Sequence, residues 1–227
     1  MKFAIGDLHG RNHWRDINIR EYEKIIFLGD YVDSDTLSDS AILENLTAVI
    51  ELKKQLSEKV VLLLGNHDVQ YLHFPQHQIT GFRPTMQPYL TQLFDSNRHL
   101  FTLAYQYQHY IFTHAGITNS WYKEFLRLPT LDRLREKNDT ISDLINKVEQ
   151  TSLRYLLYAA SIYRGGYGSG SFLWADQRET SVDMLQGFHQ VVGHSKVDQV
   201  VTITLPGRSI TYIDVPEELR YFHQLDI

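Results

Sequence analysis

The chain has 227 residues, of which 43% are hydrophobic, and it carries a formal net charge of −5. We expect a single domain over residues 1–227, because chains of this length commonly form one unit whose core needs no cross-link. The absence of cysteine excludes disulfides, thiolate nucleophiles and cysteine-ligated zinc. The mildly acidic balance argues against an extended nucleic-acid-binding surface. We expect no signal peptide and no membrane span, and therefore a cytoplasmic protein.

Short apolar runs rich in β-branched residues predict the strands. Each run is followed at once by a glycine or a histidine, and the five runs are Lys2–Ile5, Lys24–Leu28, Val60–Leu64, Tyr110–Thr113 and Gln190–Val192. Such continuous runs are typical of strands buried on both faces of a layered α/β sheet. The helical spacing of apolar residues over Leu37–Leu56, with Ser38 as N-cap, predicts a crossover helix. Two alternating runs at residues 200–205 and 209–214 predict a β-hairpin.

Two less regular segments are predicted to be cap-like insertions, at about residues 69–109 and 120–171. Helices are predicted at three places within them: Pro84–Phe94, Thr130–Glu136 and Thr140–Tyr163. The second insertion ends in a glycine-rich run at residues 164–170. We interpret this run as a flexible loop on the substrate side, because it follows a helix and has no P-loop lysine.

Polar residues able to bind a metal ion follow the predicted strands, where open α/β sheets gather their ligands. They are Asp7, His9, Asp30, Asn66, His114 and His194. This set of oxygen and nitrogen donors suits Mn, Fe or Zn. Six ligands are too many for one catalytic ion, so a carboxylate such as Asp30 could bridge two ions. A single Gly-Asp or Asn-His pair commonly belongs to an ordinary turn or loop, but five such motifs in order after the strands favour a metal site.

The order and spacing of these motifs resemble the calcineurin-like metallophosphoesterase superfamily. The matching motifs are Gly6-Asp7-Leu8-His9-Gly10, Gly29-Asp30-Tyr31-Val32-Asp33, Gly65-Asn66-His67-Asp68, Thr113-His114-Ala115-Gly116 and Gly193-His194-Ser195. The second motif and the stretch Phe172-Leu173-Trp174-Ala175-Asp176 are most similar to the serine/threonine phosphoprotein phosphatase branch. The resemblance implies the metallo-dependent phosphatase fold. That fold is an α/β fold with a layered β-sandwich flanked by helices and the active site at the C-terminal ends of the strands.

The resemblance also implies two metal ions, each divalent or trivalent, with Mn, Fe or Zn as the candidates. Asp7 and His9 would hold the first ion, and Asp30 would bridge the two. The second ion would be held by three further ligands: Asn66, His114 and His194.

For the reaction, the resemblance implies hydrolysis of a phosphate monoester by direct attack of a metal-bridging hydroxide. His67 would be the general acid that protonates the departing alkoxide, and Asp33 would be the carboxylate that orients it. Taken by itself, Asp33 could also be a helix cap or a turn residue, so its role stays open.

The chain departs from the phosphoprotein phosphatase pattern after the second motif. That branch continues with Arg-Gly, whereas this chain has Ser34 and Asp35, so the arginine that would bind the substrate phosphate is missing. Because arginine is hard to replace as a bidentate phosphate ligand, we expect another one to serve. Arg164 is the first candidate, followed by Arg11 and Arg83. Each of them could equally be an ordinary surface arginine.

Three functions stay open. The leading one is a serine/threonine protein phosphatase-like enzyme acting on a phosphorylated protein or a small phosphoester. The second is a nucleotide or diadenosine polyphosphate hydrolase, since relatives in the superfamily share the ligand set and the arginine is lost at Ser34. The third is a non-catalytic binding scaffold, which the complete ligand set and the His67–Asp33 pair disfavour. No nucleic acid or membrane partner is expected, and the oligomeric state is open.

Overall fold

The computed structural model describes residues 1–216, 219, 222–225 and 227, and the chain divides into two compact units. The first unit is Met1–Thr102 with Arg220–Ile227, and the second is Leu103–Leu219. Each contains one five-stranded sheet with helices, which confirms the α/β class. The single domain over residues 1–227 stays a prediction. No helix in the described part of the chain is long and apolar enough to cross a bilayer.

The first unit is built on a mostly parallel sheet. Its strands are β1 (Lys2–Ile5), β2 (Lys24–Phe27), β3 (Val60–Leu63), β4 (Phe101–Thr102) and β10 (Phe222–Leu225). They lie in the order β10-β1-β2-β3-β4, and only β10 runs antiparallel to its neighbour. The three strands predicted here are confirmed to within one residue. Because β1, β2 and β3 are parallel, the motifs that follow them lie at one edge of the sheet.

Two helices of this unit follow the loops after β2 and β3. The crossover α1 (Asp39–Gln55) is confirmed, and the Ser38 hydroxyl caps it by accepting the N–H of Ala41 at 3.3 Å. Directly after β3 comes α2 (Asn66–Leu72), which begins on the third motif. The predicted site residues Asn66 and His67 are therefore the first two residues of a helix.

A third helix, α3 (Gln87–Ser96), lies within the first predicted insertion. The sequence predicted that it begins at Pro84, three residues too early. Residues 84–86 form a turn instead, in which the N–H of Met86 binds the carbonyl of Arg83 at 3.0 Å. The same insertion also contributes β4, a strand that the sequence analysis did not predict.

The second unit contains a mixed sheet. Its strands are β5 (Ala104–Tyr107), β6 (Tyr110–Thr113), β7 (His189–Lys196), β8 (Val201–Leu205) and β9 (Arg208–Asp214), in the order β5-β6-β7-β9-β8. The hairpin of β8 and β9 is confirmed, and β5 was not predicted. The predicted strand Gln190–Val192 is longer than expected and continues to Lys196. His194 therefore lies inside β7, where the pairing with β9 shifts register, and not at the tip of the strand.

The helices of the second unit are short. They are α4 (Asn119–Leu126), α5 (Leu131–Leu134), α6 (Ile141–Glu149) and α7 (Gln177–Thr180). The prediction of one helix over Thr140–Tyr163 is wrong beyond Glu149. The hydroxyl of Thr151 donates to the carbonyl of Val148 at 2.8 Å and accepts the N–H of Leu153 at 3.1 Å. These side-chain bonds compete with helix continuation, and two 3₁₀ turns follow, at Arg154–Tyr158 and Ile162–Arg164.

Candidate metal centre

Three predicted metal ligands of the first unit lie together at the C-terminal edge of its sheet. One ligand atom from each of Asp7, His9 and Asp30 lies within 4.8 Å of the other two. The Nε2 atom of His9 is 4.0 Å from Oδ2 of Asp7 and 3.8 Å from Oδ2 of Asp30. Its Nδ1 atom is 2.9 Å from the carbonyl of Val32, which orients the ring. Two buried carboxylates and one imidazole form a donor set that fits Mn, Fe or Zn.

The other predicted ligand of this unit, Asn66, is buried at the start of α2. The N–H of the next residue, His67, donates to Oδ1 of Asp30 at 2.9 Å. This bond ties the helix that carries Asn66 to the carboxylate of Asp30.

Asp68 is a residue of this site to which the sequence analysis gave no role. Its carboxylate is fully buried and accepts three backbone N–H bonds, from Asp30 at 2.8 Å, Tyr31 at 2.9 Å and Gly65 at 2.8 Å. The loop after β2 is thereby bound to the loop after β3. Only one feature of the sequence points to this role: Asp68 is the third residue of α2, a position where acidic residues often cap a helix.

The loops around these ligands have an unusual backbone. His9, Asp30, Asp33 and, in the second unit, His194 have positive φ angles of 45°, 51°, 62° and 60°. Residues other than glycine adopt such angles at a cost of about 1–3 kcal/mol, and they concentrate at functional sites. This strain depends on tertiary structure and could not be predicted from the local sequence pattern.

Close approach of the two loops explains one of the motif glycines. A Cβ added at Gly65 would lie 2.1 Å from Oδ1 of Asp30 and 2.5 Å from its backbone nitrogen. Neither distance is possible without movement of Asp30, so only glycine fits at this position.

The predicted acid and its carboxylate form a direct pair in the first unit. Nδ1 of His67 lies 2.9 Å from Oδ2 of Asp33, and the ring meets that of His9 edge-on at 5.2 Å between centroids. Burial alone would lower the pKa of His67. The negative charge of Asp30 and the hydrogen bond to Asp33 outweigh it and raise the pKa to about 9. His67 is therefore protonated at neutral pH in the metal-free chain.

The second unit brings together the remaining two predicted ligands. Nε2 of His114, which follows β6, lies 3.1 Å from Nδ1 of His194. The N–H of Gly193 donates to the carbonyl of His114 at 2.9 Å, and the ring of Trp174 packs edge-on against His194. Two imidazole nitrogens at this separation can bind one metal ion together.

Arg164, the first candidate for phosphate binding, lies near His194 in the second unit. Its Nε atom is 2.8 Å from Oδ2 of Asp176, and one terminal nitrogen is 3.5 Å from the hydroxyl of Ser195. Asp176 also binds Arg178 at 2.8 Å. Burial would raise the pKa of Asp176, but the hydrogen bonds from Arg178 and the charge of Arg164 outweigh it and lower the pKa to about 2.

The two other candidate arginines are engaged within the first unit. Arg11 donates to the carbonyl oxygens of Leu8 and Asp7, in its own loop. Arg83 forms an ion pair with Asp39 and donates to the carbonyl of Ser34.

Comparison with known proteins shows the family and the fold of the chain. A sequence model of the calcineurin-like phosphoesterase family matches residues 3–198, which is most of the chain. A cold-active protein-tyrosine phosphatase from a psychrophilic Shewanella species is similar with a TM-score of 0.53 and 15% identity, over 94% of this chain and 70% of that one. For a protein serine/threonine phosphatase from Saccharomyces cerevisiae the TM-score is 0.50 and the identity 16%, over 93% and 66%. At such identities the likeness shows the fold alone, and it confirms the predicted fold class. No curated protein is significantly similar to the chain.

Proposed function

The chain belongs to the calcineurin-like phosphoesterase family and is a metal-dependent phosphatase, and from this premise we propose that it hydrolyses phosphate monoesters at a two-metal centre, as serine/threonine protein phosphatases do. The observation that carries the proposal is the cluster of Asp7, His9 and Asp30 beside the His67–Asp33 pair. A binding scaffold has no need for a protonated histidine held next to metal ligands, so this pair favours catalysis.

We assign the two ions to the six predicted ligands on the pattern of the family. Asp7 and His9 would hold one ion, and Asp30 would bridge. The other would be held by three ligands: Asn66, His114 and His194. The donor chemistry within each unit supports the assignment, since the first offers mainly carboxylates and the second two imidazoles. When bound, the ions supply a lowered pKa for water and positive charge for the phosphoryl oxygens.

His67 is the proton donor in this proposal. Its Nδ1–H binds Asp33, so the proton on Nε2 is the one that can pass to the departing oxygen. A pKa of about 9 keeps both nitrogens protonated in the metal-free chain. Cations bound at Asp30 would repel the charged imidazole and lower this pKa, which makes His67 a stronger acid.

Arg164 is the residue that we assign to the substrate phosphate. The ion pair with Asp176 restricts the orientation of its guanidinium group. One terminal nitrogen of that group lies 3.5 Å from the hydroxyl of Ser195, the residue after His194. A fixed guanidinium fork suits two phosphate oxygens. Arg83 is less suitable, because Asp39 and a backbone carbonyl already occupy its donors.

The test of this function is hydrolysis by the purified chain of phenyl phosphate, whose leaving group needs a proton donor. Activity should disappear on chelation and return with added Mn²⁺. The variant His67→Asn should lower kcat roughly 10²- to 10⁴-fold while bound metal is unchanged. The matched control is His99→Asn, which changes an exposed histidine of the same unit. An unchanged kcat in His67→Asn would contradict the assigned role.

The second candidate function, hydrolysis of nucleotide or diadenosine polyphosphates, is favoured by one observation. Ser34 is buried, and its hydroxyl accepts the N–H groups of Thr36 at 3.2 Å and Leu37 at 3.0 Å. It closes a turn at the position where phosphoprotein phosphatases have their arginine. Comparing kcat/KM on a phosphopeptide and on diadenosine tetraphosphate separates the two functions, and a strong preference for the latter would overturn our first choice.

A further inference from the structure

Two side chains of α2 bind the same carboxylate as His67. Oδ2 of Asp33 accepts hydrogen bonds from Nδ1 of His67 and from the amide of Gln70, and Oδ1 accepts one from the hydroxyl of Tyr71. Gln70 and Tyr71 are fully buried, and the side chain of Asp33 is also buried. The protein itself thus supplies donors to both oxygens of the carboxylate that orients His67.

The same two side chains also bind the backbone beyond α2. The carbonyl oxygen of the Gln70 amide accepts the N–H of Ile79 at 3.1 Å, and the hydroxyl of Tyr71 accepts the N–H of Arg83 at 2.9 Å. Between them, a Cβ at Gly81 would lie 3.4 Å from the ring of His67. Residues 79–83 therefore cover the His67–Asp33 pair, and Gln70 and Tyr71 hold this cover in place.

We propose that Gln70 and Tyr71 are positioning residues that hold the carboxylate of Asp33, and through it the ring of His67, in the orientation required for proton donation. A carboxylate bound only by His67 could rotate about its last side-chain bond, whereas three donors on two oxygens fix its plane. A fixed carboxylate in turn holds the imidazole in one orientation. The inference rests on the proposed function of His67 as general acid.

The variant Tyr71→Phe tests the inference with two substrates that differ in their need for an acid. The leaving group of 4-nitrophenyl phosphate needs little protonation, and that of phenyl phosphate needs more. We expect kcat to fall about tenfold more on phenyl phosphate, with KM within about twofold on both. The control is Tyr212→Phe, which removes the hydroxyl of another fully buried tyrosine, bound to Thr180 in the second unit. An equal loss on both substrates in Tyr71→Phe would overturn the inference.

A second test introduces Tyr71→Phe into the His67→Asn variant. If Tyr71 acts through His67, Tyr71→Phe should change kcat by less than about twofold once His67 is gone. Multiplicative losses would instead show a general structural defect and contradict the proposal. Should Tyr71→Phe fail to fold, Gln70→Met, which keeps the volume and removes the donor, is expected to give the same pattern.

A measurement without turnover separates this inference from the proposed function. In ¹⁵N-edited NMR spectra, the Nδ1–H proton of His67 should exchange slowly with water in the wild type and faster in Tyr71→Phe. Unchanged exchange would overturn the positioning role. If instead the wild type hydrolyses neither aryl phosphate, the proposed function fails while the NMR result still decides how His67 is held.

Discussion

The two units present their predicted ligands in different ways. In the first unit the ligands Asp7, His9 and Asp30 lie on loops beyond the strands, and Asp68 binds the loop that carries Asp30 to the loop after β3. In the second unit His194 lies within β7, where the pairing with β9 shifts register, and the N–H of the preceding Gly193 donates to the carbonyl of His114. Ligand geometry thus depends on a side-chain network in the first unit and on a backbone contact beside a register shift in the second. Substitutions in the network should therefore have the larger effects.

The largest effect is expected from Gly65→Ala in the first unit. The new Cβ would lie 2.1 Å from a carboxylate oxygen of Asp30, so that side chain must move. A ligand misplaced by about 1 Å costs about 10²-fold in rate, and weaker metal binding adds to the loss, so we expect kcat/KM to fall about 10³-fold. The matched control is Gly168→Ala in the second unit, where an added Cβ meets nothing within 4 Å. Similar kcat/KM values for both variants would show that the close approach of Gly65 to Asp30 does not control ligand placement.

Asp68→Asn should have the next largest effect, on stability. The amide that replaces one carboxylate oxygen cannot accept a hydrogen bond, which leaves buried N–H groups without a partner. We expect the free energy of unfolding in urea to fall by about 3 kcal/mol. The control Asp143→Asn removes an exposed carboxylate that caps α6 in the second unit, and should cost about 1 kcal/mol. Equal losses of unfolding free energy in the two variants would show that Asp68 contributes no more to stability than an exposed helix cap.

The third prediction concerns Arg164→Met in the second unit. If Arg164 binds the substrate phosphate, kcat/KM should fall about 10- to 100-fold, mainly through KM, with metal content unchanged. Arg178→Met is the control, because Arg178 shares Asp176 with Arg164 and is not assigned to the substrate. An equal loss in the two variants would assign the effect to Asp176 and remove Arg164 from the phosphate site.

The sequence predicts those features of the structure that depend on local patterns or on the order of the motifs. Local patterns predicted β1 and α1 well, because continuous apolar runs and a serine cap act over a few residues. The motif order also predicted that Asp7, His9 and Asp30 would meet, since parallel strands end at one edge.

The features that the sequence did not reveal depend on contacts between distant residues. Asp68 binds the backbone of Asp30, 38 positions earlier, and nothing local distinguishes it from an ordinary helix cap. Likewise, the length of β7 depends on its pairing with β9, which resumes at Lys196 and places His194 inside a strand. The early end of α6 is the exception, because the hydroxyl of Thr151 binds the carbonyl of Val148, only three positions earlier. Long-range hydrogen bonds thus decided the first two features, and a local side-chain contact decided the third.

The smallest expected effect is a pH dependence in the second unit. Asp176 has a pKa of about 2, against an ordinary value of 3.8, because Arg178 and Arg164 stabilise its charged form. A depressed pKa adds stability that is complete above pH 3.8 and is lost as pH falls through about 2. We expect a contribution of about 1 kcal/mol, since both arginines are partly exposed to solvent. Urea unfolding of wild type and Asp176→Asn should therefore differ by a constant amount above pH 4 and converge towards pH 2. A constant difference down to pH 2 would mean that Asp176 stabilises the second unit as a cap of α7 and not through its charge.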